Sequence, residues 1–157
     1  MTTPFAGAPA SAEEPRLSVI VPAFNEEENI VPLSEEIIAT LAALPGGFEL
    51  IVVDDASTDS TASVLEQFSH PCLRRVFHRI NCGQSSAVAS GFQAARGVWV
   101  ATLDGDGQND PADLPAMLAQ AEKEGVDCVT GVRRKRQERR VARLAPALLV
   151  GEPERGE

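Results

Sequence analysis

An α/β fold, with a mostly parallel sheet and helices on both faces, is what the sequence predicts. Three observations carry that expectation. Short runs of β-branched and other apolar residues alternate in regular order with stretches of helical periodicity. The first two runs are apolar at nearly every position, as strands covered on both faces must be. Acid-rich polar clusters follow three of the runs, and open α/β sheets bind ligands beyond the carboxyl ends of their strands.

Leu17 to Pro22 reads as the first buried strand, stopped by its proline. Glu27 to Leu44 reads as a helix, because Ile37, Ile38, Leu41 and Leu44 recur at core-facing spacing and Pro45-Gly46-Gly47 ends it. Pro32 requires the regular helix to start close to it. Phe48 to Val53 is the second buried strand, terminated by Asp54-Asp55. Ser57 to Phe68 is helical, with Ser57 or Thr58 as N-cap, and Arg74 to His78 forms a short strand. Gly83 to Arg96 is a small-residue helix with Val88, Phe92 and Ala95 on one face and Gly97 as C-cap. A fourth strand begins at Val98 and ends at Asp104. A helix from Pro111, at a permitted first position, to Glu124 follows, and then a last strand, Asp127 to Val132. The repeated strand-helix order implies right-handed crossovers. From Arg133 the pattern decays, and Leu144 to Val150 does not read as a completed element.

A chain of 157 residues suits one domain with a sizeable core. The expected organisation is a flexible lead-in over 1–15, the domain over 16–133 and a basic, then irregular, tail over 134–157. No apolar run approaches the roughly 18 residues of a membrane-spanning helix. The N-terminus lacks the basic start and apolar core of a signal peptide. Cys72, Cys82 and Cys128 are odd in number and widely spaced, which fits reduced, partly buried thiols better than a disulfide framework or a zinc site. A cytoplasmic location is the expectation. The net charge of −9 hides an asymmetry, −13 over residues 1–132 against +4 over 133–157. The basic run Arg133 to Arg143 reads as a solvated helix or tail, as phosphate contacts, or as attraction to an anionic membrane surface. Nucleic acid is not the expected partner, since no aromatic platform accompanies these charges.

Asp104 and Asp106 close the fourth strand at i and i+2 with only Gly105 between them. On a continuing strand that spacing puts both carboxylates on one face, an arrangement suited to Mg²⁺ or Mn²⁺ held between protein and a diphosphate. The alternative is an ordinary Asp-Gly, Asn-Asp-Pro turn. A calcium loop is excluded, because it wants Gly where Asn109 stands and Glu where Pro115 stands. An acidic residue ending a second parallel strand can accept hydrogen bonds from a ribose or a base edge. Asp55 is favoured for this over Asp54, which with Asp59 can equally cap the next helix. No Gly-x-Gly-x-x-Gly follows the first strand and no phosphate-binding Gly-Lys loop occurs, which argues against a dehydrogenase or a P-loop enzyme. Gly83 to Ser86 either presents N–H groups to a phosphate or lets its helix pack closely. His70 and His78 lack a recognisable partner and read as surface or turn residues.

Together the segments LSVIVPAFNEEENI, ELIVVDDASTDST, NCGQSSAVASGFQAARG and VATLDGDGQNDPADLP resemble the family 2 inverting glycosyltransferases with the Rossmann-like GT-A fold. Within that family they resemble the dolichyl- or polyprenyl-phosphate sugar transferases, over roughly residues 16 to 133. The resemblance implies that Asp104 and Asp106 are catalytic and, with Gln108, bind Mg²⁺ or Mn²⁺ on a nucleotide diphosphate. It implies that Pro22, Phe24, Glu26, Val53 and Asp55 hold the nucleoside and that Arg133 meets phosphate. The implied donor is a nucleotide diphosphate-sugar of the GDP-mannose or UDP-glucose type. The implied acceptor is a polyprenyl phosphate, reached by peripheral association with the cytoplasmic face of a membrane. A polyprenyl phosphate is already an anion, so it needs basic neighbours rather than a general base. The family's acceptor-binding elements are not recognisable after Arg143. The alternative is therefore a truncated domain that binds nucleotide-sugar without turnover.

Overall fold

The computed structural model of the chain describes residues 14–130 and 148–151. Six strands form one sheet in the order β3-β2-β1-β4-β6-β5. They are β1 (Leu17–Ala23), β2 (Phe48–Asp54), β3 (Leu73–Phe77), β4 (Trp99–Thr102), β5 (Cys128–Thr130) and β6 (Leu148–Gly151). The first four are parallel, and β6 lies antiparallel between β4 and β5. The helices are α1 (Ile30–Leu41), α2 (Thr61–Gln67), α3 (Gln84–Ala94) and α4 (Leu114–Glu124), the last entered through a 3₁₀ turn at Pro111–Asp113.

Period-two alternation along β1 and β2 sorts their side chains to two cores. Val19, Val21, Leu50 and Val52 join Ile30, Leu33, Ile37, Leu41, Leu65, Leu114 and Leu118 on one side. Ile20, Ile51 and Val53 face Ala87 on the other. Both faces are thus covered, as the apolar runs require, by α1, α2 and α4 on one side and α3 on the second.

Several boundaries depart from the expected ones. Helix α1 starts at Ile30, because the N–H groups of Asn29 and Ile30 both turn back to the Glu26 carbonyl. Its buried stripe is Ile30, Leu33, Ser34, Ile37 and Leu41, while Ile38 and Leu44 are only partly buried. Helix α2 begins at Thr61 rather than Ser57, and neither Ser57 nor Thr58 caps it. Asp59 instead accepts from the Thr61 backbone N–H at 2.9 Å and from its hydroxyl at 2.5 Å.

On α3 the expected apolar face is the wrong one, since the buried residues are Ala87 and Gly91 while Phe92 is exposed. A Cβ on Gly91 would lie 2.3 Å from the Ile20 side chain, so the helix backbone rests directly on β1. Gly97 is not the cap of α3, whose C-cap is Ala95; the Gly97 N–H donates to Ser18 Oγ at 2.8 Å. The segment Leu144 to Val150, expected to form nothing regular, supplies most of β6. All three cysteines are free, but only Cys72 is half-buried; Cys82 and Cys128 are exposed. Among the described residues, no helix is long and apolar enough to cross a membrane.

Candidate donor site at the carboxyl edge

The site begins where β1 and β4 part. Ile20 carbonyl accepts from Leu103 N–H at 3.0 Å, so two residues further on the Pro22 nitrogen and carbonyl face the same neighbour. Proline has no N–H to continue that ladder, and the last β1–β4 pair is Ile20 with Thr102. The chain after Thr102 is therefore free to turn. At Gly105 it passes so close to Pro22 that a Cβ would lie 2.6 Å from the Pro22 carbonyl oxygen. Glycine is what lets the turn sit there.

That turn carries both acidic candidates. Asp104 is half-buried and Asp106 exposed. Buried Asn109 accepts from the Asp104 N–H at 2.8 Å, and the Gln108 N–H donates to Asp106 Oδ1 at 3.0 Å. Gln84, the first residue of α3, donates its side-chain amide to Asp104 Oδ1 at 2.7 Å. Burial raises the Asp104 carboxyl above its ordinary range, the charge of Asp106 raises it further, and the Gln84 hydrogen bond only partly opposes them. The turn concentrates negative charge where it is incompletely solvated.

The loops after β1 and β2 are fastened to each other. Asn25, in the left-handed region at φ 55°, accepts from the Thr58 N–H at 2.8 Å, from its hydroxyl at 3.2 Å and from the Asp59 N–H at 3.4 Å. Asn25 N–H donates to Ser57 Oγ at 2.9 Å and Glu26 N–H to Thr61 Oγ1 at 2.8 Å. In return, Ser60 N–H donates to the Glu27 carboxylate at 2.8 Å. Asp54 serves this fastening, accepting from the Ser57 hydroxyl at 2.5 Å.

Asp55, only 3% exposed, points the other way. It accepts from the Cys82 N–H at 2.9 Å, the Gly83 N–H at 2.7 Å and His78 Nδ1 at 2.7 Å. Burial alone would raise its carboxyl, but these donors outweigh burial and hold it below the ordinary range. His78 Nε2 lies 2.8 Å from Ser90 Oγ, so His78 is a working link between Asp55 and α3 and not the unpartnered turn residue expected. His70 does bond only locally, to Cys72.

The expected residues fall into three groups. Asp104, Asp106, Gln108, Glu26 and Asp55, with exposed Phe24, all lie in the segments that follow β1, β2 and β4 at the carboxyl edge of the sheet. Pro22 and Val53 are buried beneath them, with the Val53 side chain in the α3-side core. Arg133 and the basic run to Arg143 lie outside the described residues. Asn25, His78, Gln84 and Asn109 were not singled out as site residues. Gln84 stood inside a quoted motif, but its bond to Asp104 joins residues 20 apart.

Comparison with known proteins identifies the family and the fold. The family model described as glycosyl transferase family 2 matches residues 18–146. A dodecaprenyl-phosphate galacturonate synthase of Rhizobium johnstonii is 37% identical over 147 residues, 92% of this chain and 44% of that protein. An undecaprenyl-phosphate 4-deoxy-4-formamido-L-arabinose transferase of Proteus mirabilis is 42% identical over 126 residues, 78% of this chain and 38% of that protein. The chain thus spans less than half the length of these relatives. Among solved structures, the mannosyltransferase PcManGT of Pyrobaculum calidifontis, in complex with GDP-Man and Mn²⁺, superposes with a TM-score of 0.67 at 29% identity, over 84% of this chain and 39% of that one. S. aureus TarS with UDP-GlcNAc gives 0.62 at 28% identity, over 72% and 33%. With a family model matched over most of its length, and with the GT-A fold of these neighbours, the chain belongs to glycosyl transferase family 2.

Proposed function

We propose that this site binds a nucleotide diphosphate-sugar together with Mg²⁺ or Mn²⁺ and serves the donor half of an inverting sugar transfer to a polyprenyl phosphate. The observation that carries the reading is the paired carboxylates of Asp104 and Asp106, held by a fixed turn in which the ionised form of Asp104 is disfavoured. Their donors are all oxygen, the set that hard divalent cations prefer, and a bound cation would relieve the repulsion between them. Asp104 and Asp106, with Gln108 beside them, would hold it; its contribution is Lewis-acid stabilisation of the diphosphate as that group leaves. The names of the polyprenyl-phosphate relatives and the ligands of the two solved neighbours support the same substrate classes.

The chain's own residues then have distinct tasks. The fastened loops keep Phe24, Glu26 and Asp55 in place for the nucleoside. Asp55 has three of its roughly four acceptor positions filled, which leaves one for a base or ribose donor. Arg133 is assigned to phosphate. In the transfer, an acceptor phosphate oxygen forms the bond to the anomeric carbon as the bond to the diphosphate breaks, and no proton has to be removed. The setting is the cytoplasmic face of a membrane, with the acceptor embedded in it.

Thermal-shift titration with GDP-mannose and UDP-glucose, with and without Mn²⁺, tests the donor reading. Binding to the folded state must raise its stability. A cation-dependent rise that disappears in Asp104→Asn and Asp106→Asn is the expected result, and a rise unchanged in both variants overturns it. Transfer is tested separately, by product formed from a polyprenyl phosphate in the presence of donor and Mn²⁺.

A further inference from the structure

A second constellation on the same edge has a different chemical character. Asp55, His78 and Cys82 offer a carboxylate oxygen, an imidazole nitrogen and a thiol sulfur, all within 4.8 Å of one another. Where the Asp104 and Asp106 turn presents oxygen alone, this group presents oxygen, nitrogen and sulfur. Imidazole and thiolate ligands select borderline-soft ions such as Zn²⁺, whereas carboxylates suit Mg²⁺ and Mn²⁺. We infer that Asp55, His78 and Cys82 form a binding site for Zn²⁺ or a cation of its class, and that its occupation excludes the nucleotide-sugar.

Four features support a site rather than a chance meeting. His78 directly follows β3 and Cys82 comes four residues later, so one short loop delivers both ligands to the carboxylate that follows β2. Ser90 supplies the outer support that metal-bound histidines commonly have. An ion would displace the proton that Nδ1 shares with Asp55; with Nε2–H then donating to Ser90 Oγ, 2.8 Å away, the Nδ1 lone pair would face the ion. The Cys82 and Gly83 N–H groups fix Asp55 without using its last acceptor position. Cys82 is exposed, and its thiol makes only a 3.4 Å contact with the Ile80 carbonyl, so an ion can enter from solvent and the sulfur can swing to meet it. Three protein ligands leave a fourth tetrahedral position for water. Zinc binding stands on this geometry alone. Exclusion of the donor rests also on the proposed role of Asp55 toward the nucleoside.

The test uses the full chain, stripped of metal and titrated with Zn²⁺ against a chromophoric chelator, with Co²⁺ as a spectroscopic substitute. One equivalent should bind, and Co²⁺ should show a thiolate charge-transfer band. Cys82→Ser should abolish the band and weaken Zn²⁺ binding more than tenfold, as should His78→Gln. Ser90→Ala should weaken it by about tenfold. Cys72→Ser, Cys128→Ser and Asp106→Asn should bind Zn²⁺ as the parent does. Cys82 is exposed and its substitution leaves the fold intact, so Cys82→Ser decides the question if His78→Gln fails to fold. Absence of a stoichiometric site, or one unchanged in Cys82→Ser, overturns the inference. Zn²⁺ should also cancel the thermal shift produced by donor with Mn²⁺ in the parent and not in Cys82→Ser. Zn²⁺ bound at this site with the donor shift intact overturns the exclusion. A donor that gives no shift even without Zn²⁺ overturns the proposed function and leaves the chelator result to stand on its own.

Discussion

Replacing Glu49 by Gln should destabilise the fold by about 2 to 4 kcal/mol, and the loss should fade in acid. Glu49, the second residue of β2, lies at the edge of the sheet opposite the acidic turn and is 2% exposed. Its carboxylate accepts from Ser18 Oγ at 2.6 Å, the Arg96 N–H at 2.7 Å, Arg74 Nη1 at 3.1 Å, and Arg96 Nε and Nη2 at 3.2 and 3.0 Å. Gln retains the shape and one acceptor, so the Ser18 and Arg96 backbone bonds can survive. What it loses is charge toward two guanidinium groups, worth about 1.5 to 3 kcal/mol for each charged hydrogen bond. The Arg74 and Arg96 side chains are 31% and 46% exposed and recover water, so the loss is discounted well below the sum of these bonds, to about 2 to 4 kcal/mol. Burial works against the Glu49 charge, but the five donors outweigh it and hold the carboxyl below its usual range. A depressed carboxyl stabilises fully above the unfolded value of about 4.3. That stabilisation is lost as pH falls through the lower folded value. Urea unfolding at pH 7 should therefore show a reduced midpoint with an unchanged slope. Below pH 4 the gap between parent and variant should close. A gap under 1 kcal/mol at pH 7, or one that does not narrow in acid, refutes the assignment.

Gly105→Ala must move the acidic turn by roughly half an ångström to relieve its 2.6 Å contact with Pro22. It should cost about 1 to 3 kcal/mol of stability and weaken Mn²⁺-dependent donor binding at least tenfold, read by calorimetry. Asn25→Ala places alanine at φ 55° and removes the acceptor of three hydrogen bonds. It should lower stability by about 2 kcal/mol and accelerate proteolysis within residues 24–30 and 56–61. Asp104→Asn should raise the melting temperature of the metal-free protein at neutral pH. A carboxyl raised by folding costs no stability below its unfolded value of about 3.9, and costs progressively more as pH rises from there through its higher folded value. The gain should therefore be full above the folded value and disappear as pH falls to the unfolded one, and differential scanning at two pH values checks it.

Much of the fold was legible because β1 and β2 are covered on both faces, and continuous apolar runs such as LSVIV and LIVV have few other uses. The helix boundaries were less so. Polar residues 25–29 and 57–60 look like helix starts, yet their hydrogen bonds go to each other across more than thirty positions, and no local propensity reveals that. Helix α3 misleads for a related reason. Its contact with β1 is made by Gly91, which has no side chain to register in a hydrophobic pattern, so Phe92 looked like the buried face. Asp104, Asp106 and Asp55 stood out as acids after apolar runs, but β4 ends at Thr102, so the first two lie in a turn beyond it and not on one face of a continuing strand as expected. His78 did not stand out, because its carboxylate stands 23 residues away just after a neighbouring strand.

The position of β6 constrains the order in which this molecule can assemble. β4 and β5 are not neighbours; each hydrogen-bonds to β6, the last of the described strands in sequence. During synthesis the four parallel strands and α4 can form with an open slot beside β4, and residues 148–151 must arrive to fill it. Until then two strand margins carry unpaired N–H and C=O groups, the condition that invites pairing with another chain. Until β6 docks the sheet is therefore at its most open to aggregation, and a ribosome pause after Thr130 would lengthen that interval.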